Sequence, residues 1–182
     1  MRWLIPVFLA VLVLTGGCLS EGGAKMKAPK SIEVASVFKD GEAIPKTYTC
    51  EGVDTNPPLY ISGLPNGTKS LVVIVDDPDA PGGTFTHWIA WNIPPVEEIP
   101  SWVPQEGETE EPVHMVQGKN DFGKIGYNGP CPPRGKPHHY HFKVYALDTE
   151  LDLHPGASRH QLERAMEGHV LAWGEVVGLF QR

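Results

Sequence analysis

The sequence predicts an all-β domain built as a sandwich or a barrel. Eighteen prolines and twenty glycines among 182 residues divide the chain into short pieces, and this density opposes long helices. Between these breaks lie apolar runs, alternating or continuous, that have the length of strands. Short strands joined by Gly/Pro turns are typical of sandwiches and barrels.

Six segments are predicted to be strands and one to be a helix. The first five strand segments are 31–38, 57–65, 69–81, 86–94 and 138–148. Alternation along 86–94 predicts one face that carries His87, Ile89, Trp91 and Ile93. The helix is predicted over 158–176, with Ser158 as N-cap and apolar residues at helical spacing, and the final VVGLF is predicted to be a last strand.

The first 17 residues are predicted to be an export signal that is not part of the fold. Arg2 precedes an apolar run at 3–15, which is shorter than the ~20 residues of a spanning helix, and small residues then lead to Cys18. A cysteine in this place is typical of a lipoprotein signal, with Cys18 carrying the lipid; ordinary cleavage and an uncleaved anchor are the alternatives. Residues 18–30 are predicted to be a flexible tether, and 31–182 one domain.

The net charge limits the classes of binding partner, and the cysteine content bears on whether a disulfide forms. A net charge of −7 argues against non-specific nucleic-acid binding, which relies on basic patches. In an exported chain Cys50 and Cys131 can form a disulfide, and two free thiols are the alternative. Asn66 begins an Asn-Gly-Thr triplet that fits the N-glycosylation acceptor pattern.

Three histidines and a tyrosine stand together at 138–141. On a strand, His138 and Tyr140 share one face, while His139 and His141 share the other. The pair His139 and His141 could ligate a metal, but further ligands do not follow at a characteristic spacing, so no metal site is expected. The other pair could instead line a pocket with His87 and an aspartate of DDPDAP (76–81).

These segments together resemble the phosphatidylethanolamine-binding protein (PEBP) family, which includes Raf kinase inhibitor protein, and most closely its bacterial and archaeal branch. The matching pieces occur in the family's order: DDPDAP (76–81), HWIAWNIP (87–94), GKNDFGKIGYNGPCPPRGKPHHYHFKVYALD (118–148) and, more loosely, YTCEGVDTNPPLYISGLP (48–65). The resemblance implies a Greek-key β-sandwich with a small anion-binding pocket at one end and a short C-terminal helix.

The same resemblance implies which residues form the pocket. Asp79 orders the turn, and the ligand-binding residues are Asp77, His87, Cys131, Pro132, Pro133, His138 and Tyr140. Cys131 is expected to offer its backbone N–H, because the two prolines have none. Such donors favour a phosphate or a carboxylate. An apolar rim is expected from Trp88, Trp91, Phe142 or Phe122.

One departure from the animal members of the family bears on function. This chain has no tyrosine after Tyr145, so an aromatic hydroxyl from the family's C-terminal helix is missing or is replaced, for which Phe180 is the candidate. Together with the export signal, this departure argues against kinase inhibition.

Three functions are compatible with the sequence. The first is a protein that binds a small anionic ligand or a lipid head group, anchored at the outer face of the cell membrane. The second is an inhibitor of a protease or another protein that uses the loop 96–112, although this loop also fits a solvated acidic segment. The third is a hydrolase with an Asp–His pair as general base. Because the sequence identifies no nucleophile, a binding protein without a cofactor is expected rather than an enzyme.

Overall fold

A computed structural model describes residues 28–182, and most of its regular structure is β. The strands are β1 (Glu33–Ala35), β2 (Leu59–Ser62), β3 (Ser70–Asp77), β4 (Phe85–Ile93), β5 (Glu98–Ile99), β6 (Glu108–Thr109), β7 (Met115–Gln117), β8 (His138–Leu147) and β9 (Val170–Phe180). One α-helix, α1, spans Arg159–Met166, and a 3-10 turn spans Lys46–Tyr48. Over this described range the helical segments fall short of the length and apolarity that crossing a membrane requires.

The strands form two antiparallel sheets. The smaller sheet has the order β1-β2-β5, and the larger has the order β6-β7-β4-β3-β8-β9. The main core lies between them, and a second core lies between the opposite face of the larger sheet and α1, where Leu162 and Met166 are buried. The predicted β-sandwich with one short helix is therefore confirmed.

The helix predicted over 158–176 is correct in its first half and wrong in its second. Ser158 caps α1 by accepting the backbone N–H of Gln161, whose side chain accepts the Ser158 backbone N–H in return. The helix ends at Met166, and Gly168 follows with φ of 82°, a conformation that favours glycine. From Val170 the chain pairs with β8 along its whole length, so the last strand is much longer than VVGLF.

The N-terminal part of the domain covers the exposed edge of β9. Trp173 bonds through its backbone to Pro29, Ser31 and Ile32, and Leu179 bonds to Glu42 and Ile44. An uncovered edge strand of this length would invite pairing with other chains. Because these flanking residues follow β9, the strand predicted over 31–38 is reduced to β1, and residues 29 and 30 of the predicted tether pair with β9. Residues 18–27 of that tether and the export signal lie outside the described residues.

Glycine allows this close approach. A Cβ on Gly174 would lie 2.1 Å from the Ile32 carbonyl oxygen, and one on Gly178 would lie 2.4 Å from the Ile44 side chain. Both contacts are far inside van der Waals distance, so these positions require the absence of a side chain.

Two bulges in β4 break the alternation predicted for that strand. His87 is skipped between the pairs Val75–Trp88 and Asp76–Thr86, and a second irregularity occurs at Asn92, which has φ of 55°. As a result Ile93 packs in the main core, whereas Ile89 and Trp91 pack beneath α1. The single face predicted for His87, Ile89, Trp91 and Ile93 is therefore wrong.

Asp76 connects three elements through a buried ion cluster. Its side chain is 1% exposed and forms ion pairs at 2.8 Å with Lys143 of β8 and with Arg159 of α1. Arg159 also pairs with Glu163, one helical turn later, at 2.7 Å. The cluster fixes the start of α1 against the end of β3, on the side of the sheet opposite to the main core.

Replacing Asp76 by alanine should destabilise the domain strongly. The change leaves two cations facing each other without their shared carboxylate, and breaking a buried pair costs about 3 kcal/mol or more. The measurement is the free energy of unfolding from a denaturant titration, with exposed Asp152→Ala as control. A loss below about 1 kcal/mol would show that the cluster does not hold α1.

Candidate functional site

A cavity of about 230 Å³ opens at the end of the larger sheet where β3 ends and β8 begins. All seven residues predicted to bind a ligand contribute to its wall. The complete lining consists of Asp77, Ala80, Pro81, Phe85, His87, Phe122, Cys131, Pro132, Pro133, His138 and Tyr140. The polar members come from three neighbouring strands and one loop, so the cavity has a scaffold of rigid elements on most sides.

Asp77 and His138 form a buried pair across β3 and β8. His138 Nδ1 lies 2.8 Å from Asp77 Oδ2, and both side chains are almost fully buried. The other oxygen of Asp77 accepts the backbone N–H of Asp79 at 2.8 Å. Because both oxygens act as acceptors, His138 Nδ1 carries a proton and its Nε2 is directed away from the pair.

Asp79 holds the turn that follows β3 against the beginning of β8. Its Oδ2 atom accepts the His139 backbone N–H at 2.9 Å and lies 2.7 Å from His139 Nδ1. These hydrogen bonds from the His139 side chain and backbone lower the pKa of Asp79. Asp79 therefore acts on the shape of the turn and does not line the cavity, as the sequence predicts.

His87 is buried and its ring orientation is fixed from behind. Its Nδ1 lies 2.7 Å from the Asn128 carbonyl oxygen, which can only accept, so Nδ1 carries the proton. Burial lowers the pKa of His87 below its ordinary value of 6.5, although the Asn128 bond and the Asp77 charge oppose this effect. The ring is therefore neutral at pH 7, with the Nε2 lone pair free of partners among the described residues.

Tyr140 brings a hydroxyl into the cavity that no described residue satisfies. The residue has no exposed surface, and its Oη is a buried polar atom without a hydrogen-bond partner. Burial, followed by the negative charge of Asp77, raises the pKa of Tyr140 far above 10, so the hydroxyl keeps its proton. An unsatisfied buried hydroxyl costs free energy, and a bound acceptor would recover it.

The loop between β7 and β8 forms the rest of the cavity wall. Hydrogen bonds of two asparagines and an aspartate hold this loop in place. The Asn120 side chain donates to the Gly126 carbonyl and to Asn128, and it accepts from the backbone of Phe122. Asp54 Oδ1 accepts the Gly129 N–H at 2.7 Å from the opposite loop. This network fixes the carbonyl that orients His87.

A disulfide joins Cys50 to Cys131, with the two Cα atoms 5.4 Å apart. The bridge links the loop before β2 to the segment that carries Pro132 and Pro133. The sequence alone left two possibilities open for these cysteines, a disulfide or two free thiols, and the structure contains the disulfide. The Cys131 backbone opposes the rise in the pKa of Tyr140, although it makes no hydrogen bond of standard geometry with the hydroxyl.

Comparisons with known proteins identify the family of this chain. Residues 34–181 match the family model described as phosphatidylethanolamine-binding protein. The chain belongs to the phosphatidylethanolamine-binding protein family. A UPF0098 protein of Pyrococcus horikoshii is 65% identical, over 100% of this chain and 91% of the relative. The crystal structure of E. coli YbcL, described as a new member of the mammalian PEBP family, has a TM-score of 0.77 and 38% identity, over 84% of this chain and 99% of that one.

A further relative bears on the N-terminus of this PEBP-family chain. The Mycobacterium tuberculosis protein named "Putative lipoprotein LppC" is 35% identical, over 95% of this chain and 92% of its own length.

The aromatic rim of the PEBP-family cavity differs from the one expected. Phe122 lines the cavity and is 43% exposed, with its ring centroid 4.8 Å from that of Phe85 and 5.3 Å from that of His87. The other candidates, Trp88, Trp91 and Phe142, are fully buried in the two cores and do not reach the cavity. The sequence analysis did not identify Phe85 as a cavity residue, because it precedes the predicted strand 86–94. Its position two residues before His87 would have indicated that both side chains lie near each other.

Several residues considered with the site lie elsewhere. His141 pairs with Glu175 at 2.9 Å, whereas His139 pairs with Asp79. The two histidines that the sequence offered as metal ligands therefore face different carboxylates. Phe180 is buried on β9 beside His138 and not on a helix. Asn66 is exposed in the turn between β2 and β3, and its glycosylation stays a prediction. The loop 96–112 includes β5 and β6 and exposes Trp102.

A wider depression of about 530 Å³ lies over β1 and β2 but has a different character. Its walls are strand surfaces that include Glu33, Tyr60 and Glu97. The cavity beside Asp77 is smaller, but it gathers buried titratable groups, which is the better indication of a ligand site.

The lowered pKa of His87 makes stability depend on pH in a defined direction. Above about pH 6.5 the ring is neutral whether folded or unfolded, so His87 adds no pH dependence. As the pH falls below 6.5 the unfolded chain takes up a proton first, and stability is lost at up to about 1.4 kcal/mol per pH unit until the folded-state pKa is reached.

We expect an NMR titration to place the His87 midpoint below 6.5. The His87→Gln variant should lose stability less steeply between pH 7 and pH 5, and equal slopes would contradict the assignment.

Proposed function

We propose that this protein binds a small ligand that carries a phosphate or a carboxylate, with the oxyanion held between His87, His138 and Tyr140. One observation carries the proposal, namely the buried Tyr140 hydroxyl, which keeps its proton and makes no hydrogen bond of standard geometry with the described residues, although Asp77 and the Cys131 backbone are close enough to affect its pKa. It stands in a cavity whose two imidazoles are each held from behind through Nδ1. Groups fixed in this way lose little freedom when a ligand binds.

The charges around the cavity support an anion. A bound anion would favour a proton on His87, whose ring is held by the Asn128 carbonyl. Arg182 lies beside the cavity-lining residue Cys131, with Nη1 3.6 Å from Cys131 Sγ, and it also approaches Glu51 at 3.9 Å. Arg134 directly follows the proline pair of the cavity wall.

Binding rather than catalysis is the better account of these groups. Serine and threonine do not occur in the cavity lining within residues 28–182, and its one cysteine is bonded in the disulfide. The imidazole Nε2 atoms could activate water, but both rings serve equally well as hydrogen-bond partners of a bound anion.

The domain is proposed to act outside the cytoplasm, attached through a lipid on Cys18. The supporting observations are the signal-like sequence that ends in Gly-Gly-Cys and the relative named as a lipoprotein.

Phosphate binding should depend on His138 and not on His139. His138→Ala removes a group that faces the cavity and should weaken binding about tenfold or more, the effect of losing one hydrogen bond to a charged group. His139→Ala alters the neighbouring residue on the other face of β8 and should change affinity less than about twofold. Calorimetric titration of the full chain with inorganic phosphate measures both. The proposal fails if neither phosphate nor acetate binds at millimolar concentration.

Lipid attachment is tested by the mass of the mature chain. We expect the protein isolated from membranes to begin at Cys18 and to exceed the mass of the polypeptide by that of its acyl groups. The Cys18→Ser variant should appear in the soluble fraction or retain its signal. An unmodified Cys18 in the membrane-bound protein would contradict lipid anchoring.

A further inference from the structure

The two imidazoles of the cavity both use Nδ1 to bond the protein. His87 Nδ1 lies 2.7 Å from the Asn128 carbonyl oxygen, and His138 Nδ1 lies 2.8 Å from Asp77 Oδ2. Because a carbonyl and a carboxylate are acceptors, the proton of the neutral ring stands on Nδ1 in each histidine. The second nitrogen, Nε2, then carries a lone pair, and a neutral ring offers the cavity an acceptor and not a donor.

An oxyanion cannot use such a nitrogen unless a further proton enters. The oxygens of a carboxylate or of an ionised phosphate accept hydrogen bonds and do not donate them. Beside a neutral His87, an oxygen of this kind would meet the Nε2 lone pair, so that two acceptors face each other. A proton on Nε2 converts this contact into a hydrogen bond between two ionised groups, which is roughly twice as strong as a neutral one.

The protein surroundings of His87 favour the neutral ring. The side chain is buried, and burial lowers its pKa below 6.5. The rings that pack on it are uncharged, since Phe85, Phe122 and Tyr140 contact it edge-to-face at centroid distances of 5.4, 5.3 and 5.2 Å. Tyr140 keeps its proton, because burial and the charge of Asp77 raise its pKa far above 10. The proton that an oxyanion requires is therefore not on Nε2 at pH 7 before binding.

Two carboxylates nevertheless bring the ring closer to protonation. The negative charges of Asp77, at the end of β3, and of Asp54, in the loop before β2, both oppose the fall in the pKa of His87. Each carboxylate is engaged elsewhere, Asp77 by His138 and Asp54 by the Gly129 backbone N–H. Within residues 28–182 the His87 ring bonds through Nδ1 alone, so the Nε2 position is left for a ligand.

The other charged and titratable groups near the ring belong to further elements. Asp121, in the loop after β7, accepts the backbone N–H of the residue before His87. Cys131 is bonded in the disulfide and does not titrate, and Arg182, 3.6 Å from its Sγ atom, keeps its charge at every pH of interest. His138 of β8 is the second imidazole of the lining. A proton taken up on binding therefore has two candidate positions, and the surroundings establish a neutral ring for His87.

We infer that the anion enters this cavity together with one proton, which occupies His87 Nε2, so that ligand binding depends on pH. The inference rests on the proposed function, because it assumes an oxyanion beside His87. The coupling is reciprocal: the bound anion strengthens proton binding, and the proton strengthens anion binding by the same factor. Affinity therefore falls about tenfold for each pH unit over the range in which the free ring is neutral and the bound ring is charged. The Tyr140 hydroxyl keeps its proton over this range and stays a donor to the anion.

The test measures proton uptake with anions that do not themselves titrate. Acetate and dimethyl phosphate each keep one negative charge between about pH 6 and pH 8.5, whereas a phosphate monoester has a second pKa of about 6. Calorimetric titration of the full chain at about pH 7.5, in two buffers of different ionisation enthalpy, gives the number of protons bound with each anion. We expect about one proton per anion, and an affinity that falls about fivefold to tenfold from pH 7 to pH 8.

Variants of the two imidazoles locate the proton. In His87→Gln the amide offers an N–H donor that does not titrate, so proton uptake should fall to near zero and the affinity should become almost independent of pH. His138→Gln should bind more weakly but still take up about one proton per anion. His139→Ala changes a histidine outside the cavity lining and should retain both the affinity and the uptake. In the unaltered protein, the nitrogen NMR shift of His87 Nε2 should change from that of a neutral ring to that of an imidazolium when acetate binds.

The possible results separate the inference from the function on which it rests. Anion binding without proton uptake would overturn the inference and leave the proposed function intact. Uptake that survives in His87→Gln and is lost in His138→Gln would place the proton on His138 and overturn the assignment to His87. If inorganic phosphate binds but acetate and dimethyl phosphate do not, the ligand brings its own proton and the inference is wrong. If none of the three anions binds, the proposed function itself is wrong.

Discussion

The architecture of this protein depends on two consecutive carboxylates at the end of its central strand. Successive residues of a strand point to opposite faces, so Asp76 and Asp77 enter different environments although they are neighbours in the chain. Asp76 neutralises two cations and holds the helix against one face of the sheet. Asp77 faces the cavity and holds the ring of His138. A shift of one residue in the register of β3 would exchange the two carboxylates and disrupt both sites.

The sheet and much of the site could be predicted from the sequence because they follow from local rules. Alternation within β8 separates His138 and Tyr140 from His139 and His141, and the structure has the same division. The family resemblance identified seven residues that line the cavity, although the chemistry they perform was not accessible in this way. The N-cap of α1, Ser158, was likewise predicted, since it depends on residues close in the sequence.

The errors have a common physical origin in contacts between residues distant in sequence. The segment 170–176 has helical periodicity, but pairing with β8 decides its conformation. The bulge at His87 cannot be seen in β4 alone, because it is defined by the partner strand, and it directs the imidazole toward Tyr140 and not toward Ile89. The position of Phe122 depends on Asn120, which organises a loop without regular structure.

The disulfide has a consequence for how the cavity can open. On one side, the segment with Pro132 and Pro133 is bonded covalently to the loop before β2, which limits its excursions however the surrounding hydrogen bonds fluctuate. On the other side, the loop with Phe122 is held only by hydrogen bonds through Asn120 and Asp121. Local opening takes place where the free energy of breaking contacts is lowest. Local opening of the cavity is therefore expected on the Phe122 side, whereas the disulfide restrains the proline side.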